Sequence, residues 1–249
     1  MIKKELRADG WKYILASIIL FLVAVTLIWQ FPLMQDIIRS GELEDLPTWI
    51  RGEIAEQEEF PVYLAANWFE NNLIQLGGIL AILLGMSAAA REVEDNTIEF
   101  ILSRPFSRGR IFFTKTVIQL TVTLIIVFFT TLFLGFIGLI FNYEIDFFRL
   151  LTAVIPVLLK LFILYSLTLY ISLYLDDQIR SGLAAAVMVG VLWGLSLLEP
   201  LSFLNLFSYG RVVQFYRGGS FPYLETVFLA CVGLILYGLS FNRFRSRDF

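Results

Sequence analysis

The stretch REVEDNTIEFILSRPFSRGRIFFTK, residues 91–115, is the only long charged passage between two strongly apolar segments. It carries Glu92, Glu94, Asp95, Glu99, Arg104, Arg108, Arg110 and Lys115 around a short apolar run of Ile98, Phe100, Ile101 and Leu102. Asn96 can cap a helix, and Glu99, three residues on, can reach back to its backbone N–H. Pro105 stops that helix, because its ring excludes the preceding turn. The pattern predicts a helix of about two turns over 97–103, followed by a basic turn. A short amphipathic helix at a membrane surface, acidic at its start and basic after its end, suits docking onto a soluble partner.

The flanking composition sets the solvent. The chain has 249 residues, 58% of them hydrophobic, and a mean hydropathy of +0.76. Soluble domains carry about 45–50% apolar residues, so the excess is surface that faces lipid. The net charge of −3 gives no electrostatic footprint for nucleic acid. There is no His, hence no imidazole base and no His-ligated metal. Cys231 is the single cysteine, so no intrachain disulfide can form, and no His is present to activate its thiol. A G-x-x-x-x-G-K-[ST] phosphate loop is missing, so this chain is not itself an ATPase of that kind.

Six segments are long and apolar enough to cross a bilayer: about 13–31, 70–90, 112–141, 150–175, 181–198 and 224–241. The expected fold is an all-α polytopic membrane protein in one transmembrane domain, 1–249. Residues 1–12, with Lys3, Lys4, Arg7 and Lys12, read either as a short interfacial helix or as a basic flank that fixes orientation. The first span is a retained anchor, since the Trp29-Gln30-Phe31-Pro32 exit offers no small-residue cleavage site. Residues 32–69 read as a long acidic outer loop. Residues 199–223 are apolar and aromatic but broken by Pro200, Gly210, Gly218, Gly219 and Pro222, which suits short re-entrant or interfacial helices. Lys160 lies inside the fourth span, where a charge costs at least ~2.5–3.5 kcal/mol on insertion scales. It must either face protein or water, or snorkel to the outer interface.

Charge asymmetry orients the spans. With six spans both termini share a side, and that side carries Lys3, Lys4, Arg7, Lys12, Arg91, Arg104, Arg108, Arg110, Lys115, Arg180, Arg243, Arg245 and Arg247. The opposite side carries Arg39, Arg51, Arg149, Arg211 and Arg217. The bias predicts that both termini, and the 91–115 stretch, lie in the cytosol.

The run from Glu94 to Arg108, with Asn96-Thr97-Ile98-Glu99-Phe100-Ile101-Leu102-Ser103-Arg104-Pro105 at its centre, resembles the signature of type-2 ATP-binding-cassette (ABC) transporter permeases. Ile111 and Lys115 continue the likeness, and Asn96 stands where the family usually has glycine. In that family the run forms a cytosolic coupling helix. The resemblance implies that Glu94, Asp95, Asn96, Thr97, Glu99, Phe100, Leu102, Arg104, Pro105 and Arg108 contact a separately encoded ABC ATPase pair. ATP and Mg would then be held by the partner, with no cofactor in this chain. It further implies a second permease copy or related chain, a bacterial-type cell membrane, and a role as exporter. By analogy the second and fifth spans would line the conduit.

A different class remains to be weighed, a self-sufficient channel, secondary carrier or intramembrane enzyme. Such proteins usually embed several carboxylates or a catalytic His. Here Lys160 is the one clearly embedded charge, and it can also be read as structural. The nature of the cargo is not written in the sequence beyond a preference for small or amphipathic compounds.

Overall fold

The structure, a computed structural model, describes residues 6–40, 57–94, 107–175 and 177–247. Six helices in it are long and apolar enough to span a membrane: Gly10–Ser40, Phe60–Arg91, Arg108–Ile140, Phe147–Ser172, Gln178–Leu195 and Tyr223–Ser246. They are called the first to sixth spans below. The fifth, at 18 residues, is near the shortest length that crosses the hydrocarbon, while the first three exceed it by several turns. Among the described residues the chain is helical throughout its ordered elements.

The helices begin where short polar side chains can take up the free backbone N–H groups. Ser107 accepts from Arg110 N ahead of the third span. Asp146 accepts from Phe148 N (2.9 Å) and Arg149 N (3.2 Å) ahead of the fourth, and Asp177 from Arg180 N (2.8 Å) ahead of the fifth. The third span ends on Asn142 at φ 61°, with Tyr143 N donating to Gly138 O and Asn142 N to Leu139 O, both at 3.0 Å. That is the paired bonding of a left-handed C-terminal cap, in a residue type that tolerates the conformation.

Two span boundaries differ from the sequence reading. The first span does not end at Phe31 but continues through Pro32 to Ser40. Proline removes one helix bond, yet Leu33, Met34 and Gln35 are good helix formers that restore the ladder beyond it. The second span starts at Phe60, ten residues before the expected Glu70, as the turn Phe60–Leu64, a π-helical segment Ala65–Asn72 and the α-helix Leu73–Glu94. An aromatic cluster holds the early start. The Phe60 ring stacks on Tyr143 at 4.2 Å and meets Phe31 edge-on at 5.0 Å, while Tyr63 Oη donates to Leu27 O at 3.2 Å. The widened π turn is filled by Asn71 and Asn72, whose side chains donate to Ala66 O and Asn67 O. Of the segment expected as a loop, 41–56 lies outside the described residues.

The second and fourth spans form the closest-packed pair. A Cβ on Gly85 would stand 2.8 Å from both Thr168 Cβ and Tyr165 O, and one on Gly77 would stand 2.7 Å from Leu161 Cδ1. These small residues therefore serve packing inside one chain, as expected where lipid gives no hydrophobic drive for helix association. Gly190 and Gly194 of the fifth span, in contrast, have open space beside them. The second and fourth spans are mostly covered, whereas the fifth and sixth are mostly uncovered.

Between the fifth and sixth spans, 3-10 turns Glu199–Leu204 and Leu206–Ser208 and the short helix Val213–Tyr216 fold back over the end of the bundle opposite Glu94 and Arg108. Gly210 at φ +62° lets this segment lie against Pro156, where a Cβ would be 3.0 Å from Pro156 Cβ. Its N–H donates to the Glu225 carboxylate of the sixth span.

Candidate functional site

The described ends of the 91–115 stretch are tied into the bundle from both directions. On the leading side, Glu94 Oε2 accepts from Gln178 N at 3.2 Å and from Gln178 Nε2 at 3.0 Å. A carboxylate at the first residue of the fifth span complements the positive end of that helix. On the trailing side, Arg108 Nη1 donates to Arg245 O at 3.2 Å and to Arg247 O at 2.6 Å. Arg247 Nη1 in turn donates to Leu173 O at 2.6 Å, and the Arg243 guanidinium lies 4.6 Å from the Tyr174 ring centroid. Both stems of the stretch are thereby strapped to the ends of the fourth, fifth and sixth spans. These contacts also place the start of the third and fifth spans and the end of the second, fourth and sixth on one face.

Beneath the stems sits a buried polar node that the sequence reading did not single out. Asp9, 0% exposed, lies just before the first span, and its backbone carbonyl accepts from Lys12 N and Tyr13 N. Its Oδ1 pairs with Lys12 Nζ at 3.0 Å and Arg91 Nη1 at 2.9 Å, and accepts from Ser87 Oγ at 3.3 Å. Its Oδ2 accepts from Gln119 Nε2 at 2.8 Å, and Gln119 Oε1 accepts from Tyr165 Oη at 2.7 Å. Lys12 Nζ donates further to Leu83 O and Ser87 Oγ. One carboxylate thus joins the first, second, third and fourth spans, and Arg91 makes it the root of the 91–115 stretch. Burial pushes the Asp9 carboxyl upward, but the charges of Arg91 and Lys12 and the bonds from Gln119 and Lys12 outweigh it. The group is held below its ordinary value. The signal was present in the sequence as Asp9, Lys12 and Arg91, but all three look like ordinary flanking charges until the helices bring them together.

Of the residues the family likeness assigns to the coupling helix, Glu94 and Arg108 are the two brought into this arrangement. Asp95, Asn96, Thr97, Glu99, Phe100, Leu102, Arg104 and Pro105 lie outside the described residues. Lys160 sits apart, in the half of the bundle away from Arg91 and Arg108. Its side chain is 1% exposed, donating from Nζ to Phe207 O at 3.2 Å, with Glu70 and Glu225 as its electrostatic neighbours. It is held by protein instead of reaching for the interface. Glu70 is itself accounted for, since its Oε2 accepts from Arg211 Nε at 2.7 Å and its Oε1 from Val213 N at 3.1 Å.

The described residues thus form six helices long and apolar enough to span a membrane, with Glu94 and Arg108 tied to the ends of the fifth and sixth spans. The family comparison agrees, for the model of the ABC-2 family transporter protein matches residues 2–248. The chain belongs to that family and is a membrane permease of an ABC transporter. Permeases of this family typically work with an ATPase subunit. A search of curated proteins found no match.

Proposed function

We propose that this chain is the membrane half of an ABC exporter, coupled through residues 94–108 to a separately encoded ATPase pair that holds ATP and Mg. The observation that carries the reading is the double strapping of that stretch, by Glu94 to Gln178 and by Arg108 to Arg245 and Arg247, above the Asp9 node. Motion imposed on its two described ends, Glu94 and Arg108, reaches the spans through these bonds and through the Asp9 node. Nucleotide closure of the ATPase pair would move the stretch and, through Arg91, Asp9 and Gln119, the first four helices. The chain supplies no catalytic group to hydrolysis; its residues transmit displacement.

The functional unit would contain a second permease copy or related chain. The uncovered face of the fifth span, with open space at Gly190 and Gly194, supports close approach by a neighbouring helix. The exposed apolar faces of the fifth and sixth spans give an amphipathic cargo a lateral route from the bilayer. Single cysteines in a Cys231→Ser background test the orientation. A cysteine at Glu44 should label from outside intact cells, and one at Arg108 only after permeabilisation. Labelling of Arg108 but not Glu44 from outside would overturn the cytosolic placement on which the coupling depends.

A further inference from the structure

A cavity of about 410 Å³ lies at the end of the bundle opposite Glu94 and Arg108, in the size range of small-molecule sites. Three parts of the chain meet around it. Glu59 and Leu64 come from the start of the second span, and Glu144, Ile145 and Asp146 from the link between the third and fourth. Tyr216 comes from the short helix Val213–Tyr216.

Tyr216 is the residue that calls for a ligand. It is 8% exposed, and its hydroxyl is buried without a hydrogen-bond partner. Burial first, and then the nearby Asp146 carboxylate, push its value upward, so it stays a neutral phenol that can both donate and accept. A buried hydroxyl left unmatched is costly, and folded proteins pair nearly all such groups. The carboxylates around it differ in state. Asp146 is in use, capping the fourth span through Phe148 N and Arg149 N and pairing with Arg149 Nε at 3.5 Å. The Arg149 guanidinium also lies 5.6 Å from the Phe215 ring centroid. Glu59 makes no capping bond, and neither it nor Glu144 has a hydrogen bond or ion pair among the described residues. The sequence leading to Glu59 has the same sign, with Glu42, Glu44, Asp45, Glu53 and Glu56 against Arg51. Among the described residues no three carboxylates are grouped as ligands for a metal ion.

We infer that this cavity binds a small organic cation, whose ammonium donates to the Tyr216 hydroxyl oxygen and is balanced by Glu59 and Glu144. Its short apolar body would lie along Leu64 and Ile145. An anion would meet the two unmatched carboxylates, and a neutral molecule would leave them to water. The inference goes beyond the transport reading and does not rest on it.

The test uses the full chain in phosphatidylcholine nanodiscs and reads fluorescence anisotropy, with the signal of empty discs subtracted. The probes are dansylcadaverine, a primary amine, and its N-acetyl derivative, which keeps the body and loses the charge. The amine should bind more tightly than the acetylated probe. Glu59→Gln and Glu144→Gln should each weaken the amine roughly two- to fivefold, as expected for one exposed charge contact. Tyr216→Phe should weaken it roughly tenfold, as expected for one hydrogen bond to a charged group. That variant should not lower the melting midpoint of the probe-free chain, since it removes a hydroxyl that nothing matches. Discs containing phosphatidylethanolamine distinguish the source of the ammonium. Competition there assigns a lipid headgroup, and unchanged binding assigns a soluble amine; both support the cavity. Equal binding of the two probes, or a preference that survives the double Glu59→Gln, Glu144→Gln variant, overturns it. So does a Tyr216→Phe chain that binds the amine like the parent. If the chain still captures an ABC ATPase in that event, the site fails while the permease reading stands.

Discussion

Asp9→Asn removes the negative charge from the centre of the buried node and keeps the shape of the side chain. Lys12 and Arg91 then lose the carboxylate that lies between them. Asp9 and Lys12 side chains are 0% and 5% exposed and Arg91 15%, so solvent can compensate little. Removing one partner of a buried pair costs about 3–5 kcal/mol. The loss of the Gln119 acceptor falls within the same network and does not add independently. For a chain of this length about 1 kcal/mol moves a midpoint by roughly 2–4 °C, so the variant should melt roughly 6–20 °C below the parent in detergent. The triple replacement Asp9→Leu, Lys12→Met, Arg91→Met should recover part of that loss, because it removes the three charges of the node together. A midpoint for Asp9→Asn within 2 °C of the parent would refute the reasoning, since it would mean that Asp9 does not balance the two cations.

The same carboxylate makes stability depend on pH. Its value is lowered by folding, so its contribution is complete above the unfolded value of about 3.9 and is lost as pH falls through the folded value. The parent and Asp9→Asn should therefore converge in midpoint as pH drops below about 4, as followed by thermal melts in acid buffers. Gly85→Val should cost about 1–3 kcal/mol by overpacking, since even a Cβ meets Thr168 and Tyr165 backbone at 2.8 Å; Gly190→Val, in open space, should leave the midpoint unchanged. Lys160→Met should insert and melt at or above the parent temperature, because an apolar chain replaces a buried charge. Lys160→Glu should lower the midpoint, as it puts a third carboxylate beside Glu70 and Glu225.

The number of spans and the helical class were legible because apolar runs of bilayer length are a strong signal, and the family likeness was legible in 94–108. Two span ends were not. Pro32 and the residues 60–69 before Glu70 look like loop in sequence, yet the first helix runs past Pro32 and the second already begins at Phe60. What decides is distant in the chain: Tyr143 stacks on Phe60, and Arg211 neutralises Glu70. The Asp9 node was hidden for a similar reason. Its members are separated by up to 156 residues, Asp9 to Tyr165, and each taken alone is an unremarkable flank or a mid-helix polar residue. Gly77 and Gly85 of the second span, for their part, pack against the fourth span of the same chain, a partner that the sequence does not name.

The central claim, that residues 94–108 couple this permease to an ATPase, is tested most directly by purifying the tagged chain from its own membranes. The parent should bring down a subunit that carries a phosphate-binding loop and hydrolyses ATP in nanodiscs. Phe100→Ala removes a large aromatic side chain from the coupling run. Loss of an anchor of about 2 kcal/mol would weaken capture by roughly thirty-fold while the six spans still insert. A Phe100→Ala chain that captures the ATPase and supports hydrolysis like the parent would contradict the account.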